Sequence, residues 1–313
     1  MNRPSSSIGS PLVSGGADGD EIDLLDLFYV LWGAKWRIFG GGFLAAILMA
    51  GYSLQLANVY QASALLSPSR VESPGLSSQL GGLAGLAGIA LPGGGKDSTR
   101  IALETLQSRK FLIEFVERRN IAPELLATTG YDLKNNQWQY DGSRYNLKAR
   151  EWIENKAPNE WAIYRVMRDM INVNFDERRG LVSISLMSLS PSAASGWLAM
   201  LIEDLNQHLM EKEVAEAERS IAYLQQKLQQ TALTEMREVF YQLIEQQTRT
   251  IMLARAKPEY ALSTIDPGME PRDRHSPKRT LMVVFAAMIG VIMAVMAVVV
   301  RQWLIGREEG LRR

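Results

Sequence analysis

The stretch TLMVVFAAMIGVIMAVMAVVV, residues 280–300, decides how the rest of the chain is read. It carries no charge. A helix rises about 1.5 Å per residue and a bilayer core is about 30 Å thick, so the run is long enough to cross a membrane once. A second uncharged run, IFGGGFLAAILMAGYSLQLA at residues 38–57, passes the same test. The competing reading for either is a buried core helix, and the first run, being Gly-rich, is the more open to it. A signal peptide is a further rival there. The acidic Glu21, Asp23 and Asp26 upstream and a run exceeding the about 7–15 residues of a signal core argue against it, despite Ala62-Ser63-Ala64 as a candidate cleavage site. The run is read as an uncleaved anchor.

Lys and Arg near the spans set the orientation. Lys35 and Arg37 precede the first run, and Arg301, Arg307, Arg312 and Arg313 follow the second. Lys278 and Arg279 lie on the opposite side, but long connecting segments are translocated largely regardless of charge. The expected partition is a cytoplasmic segment 1–37, a span 38–57, an external domain 58–279, a span 280–300 and a cytoplasmic tail 301–313. Trp32, Trp36 and Trp303 suit interfacial aromatic belts. Gly42, Ala46 and Ala50 in the first run, and Ala286, Gly290 and Ala294 in the second, place small residues four apart. Such stripes let helices approach closely in lipid, within or between subunits, though Ala and Gly are common enough in spans to produce them by chance.

The external segment reads as α+β, a membrane-proximal mixed sheet with helices against it. Val59–Leu66 and Tyr260–Ile265 read as strands that could pair, the second closed by Asp266-Pro267-Gly268. Ile171–Phe175 and Leu181–Leu189 alternate apolar and polar residues around Asp176–Gly180, a hairpin signal. Asn159 is a candidate cap for a helix to Met170, and Asp97–Arg119 reads as one stronger helix. From Pro191 to Lys257 apolar residues recur three or four apart with no further proline and only Gly196, which predicts a very long helix. If continuous it would extend about 100 Å. Its thin apolar face favours lateral packing against copies of itself, the alternative being a bent pair of helices within one subunit. Ser69–Gly95 is Gly/Ser-rich, with an apolar part too short to span, and is read as a loop rather than an apolar plug.

No catalytic machinery emerges. Gly95-Lys96-Asp97-Ser98 fails the phosphate-loop pattern at Ala90 and at Asp97. There is no cysteine, and the two histidines, His208 and His275, lack the paired spacing of a metal site. His208 is read as a surface residue of the long helix. The 34 basic and 34 acidic residues balance, which leaves no electrostatic footprint for nucleic acid. No cofactor is expected.

The segment IDPGMEPRDRHSPKRTLMVVFAAMIG contains Pro267, Pro271, Ser276, Pro277, Lys278 and Gly290. It resembles the proline-rich signature that leads into the second span of the polysaccharide co-polymerases, the Wzz-type chain length determinants. The spacing from Pro267 to Pro271 is one residue longer than usual, and Ala294 replaces a second glycine. The acidic start Glu21–Val30, a span, a strand, a Gly/Ser-rich insertion, a helix, a long helix and the proline segment follow in the family's order. Proline fixes φ and removes a donor, so the segment is a stiff link between domain and span. The resemblance implies a non-enzymatic ring of identical subunits in the bacterial inner membrane, with a periplasmic domain. It further implies partners in a Wzy-type polymerase and the lipid-linked polysaccharide, and a role in setting O-antigen (lipopolysaccharide) chain length. The alternative is a capsule or exopolysaccharide export component working with a separate kinase. A two-span sensor would need an output module, and only residues 301–313 follow the second span. An external hydrolase would need a motif that the chain does not offer.

Overall fold

The structure, a computed structural model, describes residues 32–69, 96–230 and 234–310. The acidic start Glu21–Val30, the Gly/Ser-rich segment from residue 70 to 95, and the side chains of Lys96, Asp97 and Trp303 lie outside that description. The chain divides into two units.

One unit contains the two apolar helices, α1 (Lys35–Gln55) and α8 (Arg279–Gly310). Both are long and apolar enough to cross a membrane. They pack on each other through a stripe that recurs every three or four residues, buried at Gly42 and Ser53 and half-buried at Ala46 and Ala50 on α1, and half-buried at Ala287, Gly290 and Ala294 on α8. The remaining faces expose large apolar side chains such as Phe43, Ile47, Phe285 and Ile289. That is the inverse of a water-soluble helix pair.

The other unit runs from Leu56 to Pro277. Its centre is a four-stranded sheet in the order β6-β7-β1-β8. The strands are β1 (Tyr60–Pro68), β6 (Ile171–Asp176), β7 (Leu181–Ser188) and β8 (Leu262–Asp266). Every pairing is antiparallel, so the sheet is not the mixed one expected: β1 meets β7 and β8 on its two edges and β6 closes a hairpin on β7. For β6 and β7 the antiparallel pairing follows from the tight turn between them. There the Asp176 carboxylate accepts from the amides of Arg178 and Arg179, and Gly180 takes φ +67. The first and last strands do pair, Leu66 opposite Thr264 and Pro68 opposite Leu262.

One face of the sheet is apolar by alternation. Ala62, Ala64 and Leu66 of β1 and Val182, Ile184 and Leu186 of β7 are buried. Three helices cover it, α3 (Arg109–Arg118), α5 (Glu160–Met170) and α6 (Pro191–Gln230). Their contributions include Leu112, Phe115 and Val116; Ile163 and Met167; and Leu198, Leu201 and Leu205. Burial of each such side chain contributes about 1.5–3 kcal/mol.

The expected helix 97–119 is two helices. α2 (Lys96–Leu106) ends, and Ser108 begins α3 with its hydroxyl accepting from the Phe111 amide at 3.3 Å. A serine oxygen competes with the helical ladder for a backbone N–H and so starts a new helix. Asn159 caps α5 in the same manner, through Ala162 N at 2.8 Å. Ser190 caps α6, accepting from Ala193 N at 3.3 Å, with Pro191 at the first helical position.

Nor is 191–257 one extended helix. After α6 comes α7 (Thr234–Ala256), which returns alongside it: Arg255 pairs with Glu218 at 3.1 Å, and Ala254 and Ala217 are both buried. The small alanines allow close approach. Asn206, buried on α6, then ties down the start of β8. Its Oδ1 accepts from the amides of Ala261 (2.8 Å) and Leu262 (2.9 Å), and its Nδ2 donates to the Leu262 carbonyl (2.9 Å).

Two small ribbons fill residues 128–152: β2 (Thr128–Asp132) with β3 (Gln137–Tyr140), and β4 (Tyr145–Asn146) with β5 (Glu151–Trp152). A short helix, α4 (Ala122–Leu126), leads into them. Aromatic rings hold them. Trp138 stacks on Trp197 of α6 at 5.9 Å, and Tyr145 meets Tyr140 and Trp152 at 5.6 and 5.4 Å.

Candidate functional site

Three places in the chain carry features beyond generic packing. The first is the proline segment. It leaves β8 at Pro267, which is exposed, and passes Gly268, where a Cβ would lie 2.7 Å from Leu198 Cδ2. Only a residue without a side chain lets the backbone run this close to the buried Leu198. The segment reaches Pro271, half-buried, and is then pinned. The Val59 amide donates to the Ser276 carbonyl at 2.9 Å, and the amides of His275 and Ser276 donate to the Val59 carbonyl at 2.8 and 3.2 Å. The two ends of the domain are thereby paired as one antiparallel bridge, with a cis peptide between Ser276 and Pro277. His275 belongs to this bridge. Lys278 is exposed, and its carbonyl accepts from Met282 N at 3.1 Å in the first turn of the apolar helix.

The second is the contact between α1 and α8. A Cβ built on Gly290 would stand 2.6 Å from Ala45 Cβ and 2.9 Å from the Gly41 carbonyl. A Cβ on Gly42 would stand 2.6 Å from Val291 Cγ2, and one on Gly41 2.8 Å from Ala294 Cβ. Gly42, Gly290 and Ala294 from the sequence stripes are therefore at the closest approach, joined by Gly41 and Ala45, which the four-residue spacing did not select. Ala46, Ala50 and Ala286 are half-buried. The contact lies within one chain.

The third was not read from the sequence. α2, the start of α3 and the middle of α6 enclose a groove of about 1100 Å³. Arg100, Lys110 and Lys212 line it with Glu104, Glu114 and Glu211, and Ile101 opens onto it while 52% exposed. His208, expected on the open surface of the helix, is one wall, its ring edge-on to Phe111 at 5.6 Å. α3 is held against α6 by Arg119, which pairs with buried Asp204 and with Glu203 at 2.9 Å. The hydrogen bond to Asp204 raises the Arg119 guanidinium above its ordinary range.

Elsewhere, Tyr140 donates to Glu124 at 3.2 Å, and burial, with the Glu124 charge, pushes its phenol up to about 12. Glu259 is held below the usual carboxylate range, chiefly by the Ser263 hydroxyl at 2.8 Å and also by the Thr264 amide at 3.1 Å.

Residues 20–118 match the model of the Wzz family, described as chain length determinant protein. No curated protein matches the chain. Among solved structures, one described as a full-length bacterial polysaccharide co-polymerase is 16% identical with a TM-score of 0.38, covering 91% of this chain and 99% of its own. A fragment of WzzB, a polysaccharide co-polymerase from Salmonella Typhimurium, is 14% identical with a TM-score of 0.27, covering 70% of this chain and 100% of its own.

Proposed function

We infer that this chain is a Wzz-type chain length determinant, the family whose model residues 20–118 match, and that it regulates the length of a surface polysaccharide. The observation that carries the reading is that match, met at the other end of the chain by the separate resemblance of Pro267, Pro271, Ser276, Pro277, Lys278 and Gly290. In this reading α1 and α8 anchor the chain in the bacterial inner membrane, both ends are cytoplasmic, and the domain from Leu56 to Pro277 is periplasmic. The glycan is the O-antigen of lipopolysaccharide, and the chain acts as a homo-oligomeric ring beside a Wzy-type polymerase and its lipid-linked polysaccharide, without catalysing the reaction itself.

The physical contribution of the chain is positional. The bridge between Val59 and Ser276 ties the start of the domain to the end of its proline segment. Small residues then let α1 and α8 pack as a pair. Deletion of the gene, followed by resolution of the surface glycan by size, tests the reading. A changed modal length is expected; an unchanged ladder contradicts it.

A further inference from the structure

We propose that the groove between α2, α3 and α6 binds a segment of the glycan itself, an oligosaccharide of a few sugar units. The inference rests on the reading of this chain as a polysaccharide length regulator and assigns the ligand surface that such a reading leaves open. The groove, at about 1100 Å³, is at or above the roughly 300–1,000 Å³ of small-molecule sites, and it is built from three separate helices.

Its chemistry narrows the ligand. Three basic side chains, Arg100, Lys110 and Lys212, line the same space as the carboxylates of Glu104, Glu114 and Glu211. Arg100, Lys110 and Lys212 form no ion pair among the described residues, while Glu114 is engaged by Arg118 and Glu211 by Gln207. A polyanion would meet three carboxylates, and a polycation three ammonium or guanidinium groups. An acyl chain would strand all six. A hydroxyl group both donates and accepts, so one ligand rich in hydroxyls satisfies cations and carboxylates together. Ile101 supplies what a sugar ring also needs, an apolar patch for its C–H face. Ile101, 52% exposed, presents an aliphatic surface within a groove otherwise lined by polar and charged side chains. Two of its walls are held to each other: Arg119 on buried Asp204 ties α3 to α6, and His208 of α6 packs edge-on against Phe111 of α3.

The test uses the full chain in detergent and oligosaccharide released from the host's surface glycan and freed of lipid. Binding is followed by titration calorimetry, with inorganic phosphate as a competitor. Ile101→Trp fills the groove; Arg100→Ala with Lys212→Ala removes donors; Arg178→Ala, on the distant β6–β7 turn, is the control. All three sites are exposed, and circular dichroism checks that each variant folds. Expected are binding by wild type and control, at least a tenfold loss in both groove variants, no displacement by phosphate, and a shifted glycan ladder in cells carrying the groove variants. Absence of wild-type binding, equal binding by all variants, or displacement by phosphate overturns the proposal. If deletion of the gene shifts the ladder while the groove variants leave it alone, the groove assignment fails and the regulator reading stands. If deletion itself changes nothing, the regulator reading fails whatever the groove binds.

Discussion

Replacing Asn206 by alanine removes three hydrogen bonds at once, two accepted from the Ala261 and Leu262 amides and one donated to the Leu262 carbonyl. Each is worth about 1 kcal/mol net, so the loss is about 3 kcal/mol. The cost rises further where a stranded group stays dry, since a buried unpaired backbone group costs about 1–3 kcal/mol. Asn206 is 3% exposed and Leu262 is fully buried, so little water reaches the site. A domain has about 5–15 kcal/mol in all, which makes this one side chain a large fraction of it. The consequence is local first. β8 is an edge strand, paired with β1 on one side and held at its start by Asn206 and by Glu259, and it leads directly into the proline segment. Hydrogen exchange on the full chain in detergent, resolved over residues 259–266, reads the effect. Asn206→Ala should speed exchange there roughly a hundredfold, the equivalent of 3 kcal/mol, with a much smaller change in α3. Asn172→Ala, on an exposed position of β6, should stay within about 0.5 kcal/mol of wild type. Unchanged protection at Ala261 and Leu262 in Asn206→Ala would refute the reasoning.

Gly290→Leu forces a side chain against Ala45 and should loosen the α1–α8 contact, read as faster hydrogen exchange in α1 of the full chain in detergent; unchanged exchange there would contradict the close packing. Arg119→Met leaves the buried Asp204 carboxylate without its principal partner and should cost about 3 kcal/mol in urea unfolding. The Tyr140 phenol is neutral below its unfolded value near 10 and is pushed up to about 12 when folded. Its contribution is therefore present below pH 10 and lost as pH rises toward 12, and Tyr140→Phe should flatten the fall in melting temperature across that window. Glu259 runs the other way: its lowered value stabilises the fold above the usual carboxylate range and is lost on acidification, so Glu259→Gln should reduce the loss of stability below about pH 4.

Much of this fold could be read from local signals. The β6–β7 hairpin declares itself by alternation around Gly180, and Asn159, Ser190 and Pro191 mark helix starts by capping chemistry alone. The pairing of β1 with β8 followed from both strands lying next to apolar runs in sequence. Other features depend on contacts distant in sequence. Ser108 sits in the polar stretch Gln107–Lys110 between Leu106 and Phe111, which a single helix could carry on its exposed face, and its hydroxyl, engaged on Phe111 N, shows that one helix has become two. The return of α7 rests on Ala217, Ala254 and the Arg255–Glu218 pair, far apart in the chain and with no proline or glycine to mark a break. Antiparallel order throughout the sheet was equally hidden, because a strand's partner lies outside its own pattern. The groove was invisible for the same reason. Arg100 and Lys212 are ordinary surface charges in sequence and become one site only when α2 meets α6. At the α1–α8 contact Gly41 and Ala45 stand at the closest approach beside Gly42 and Gly290, and a single four-residue stripe cannot include them.

The most direct measurement is an exchange of genes. This chain is expressed in a bacterium whose own length regulator has been removed and whose polymerase is unchanged, and the surface glycan is resolved by size. The account predicts a new modal length, set by this chain and different from both the unregulated ladder and the original one. A ladder that remains unregulated, with the protein present in the membrane, would contradict it.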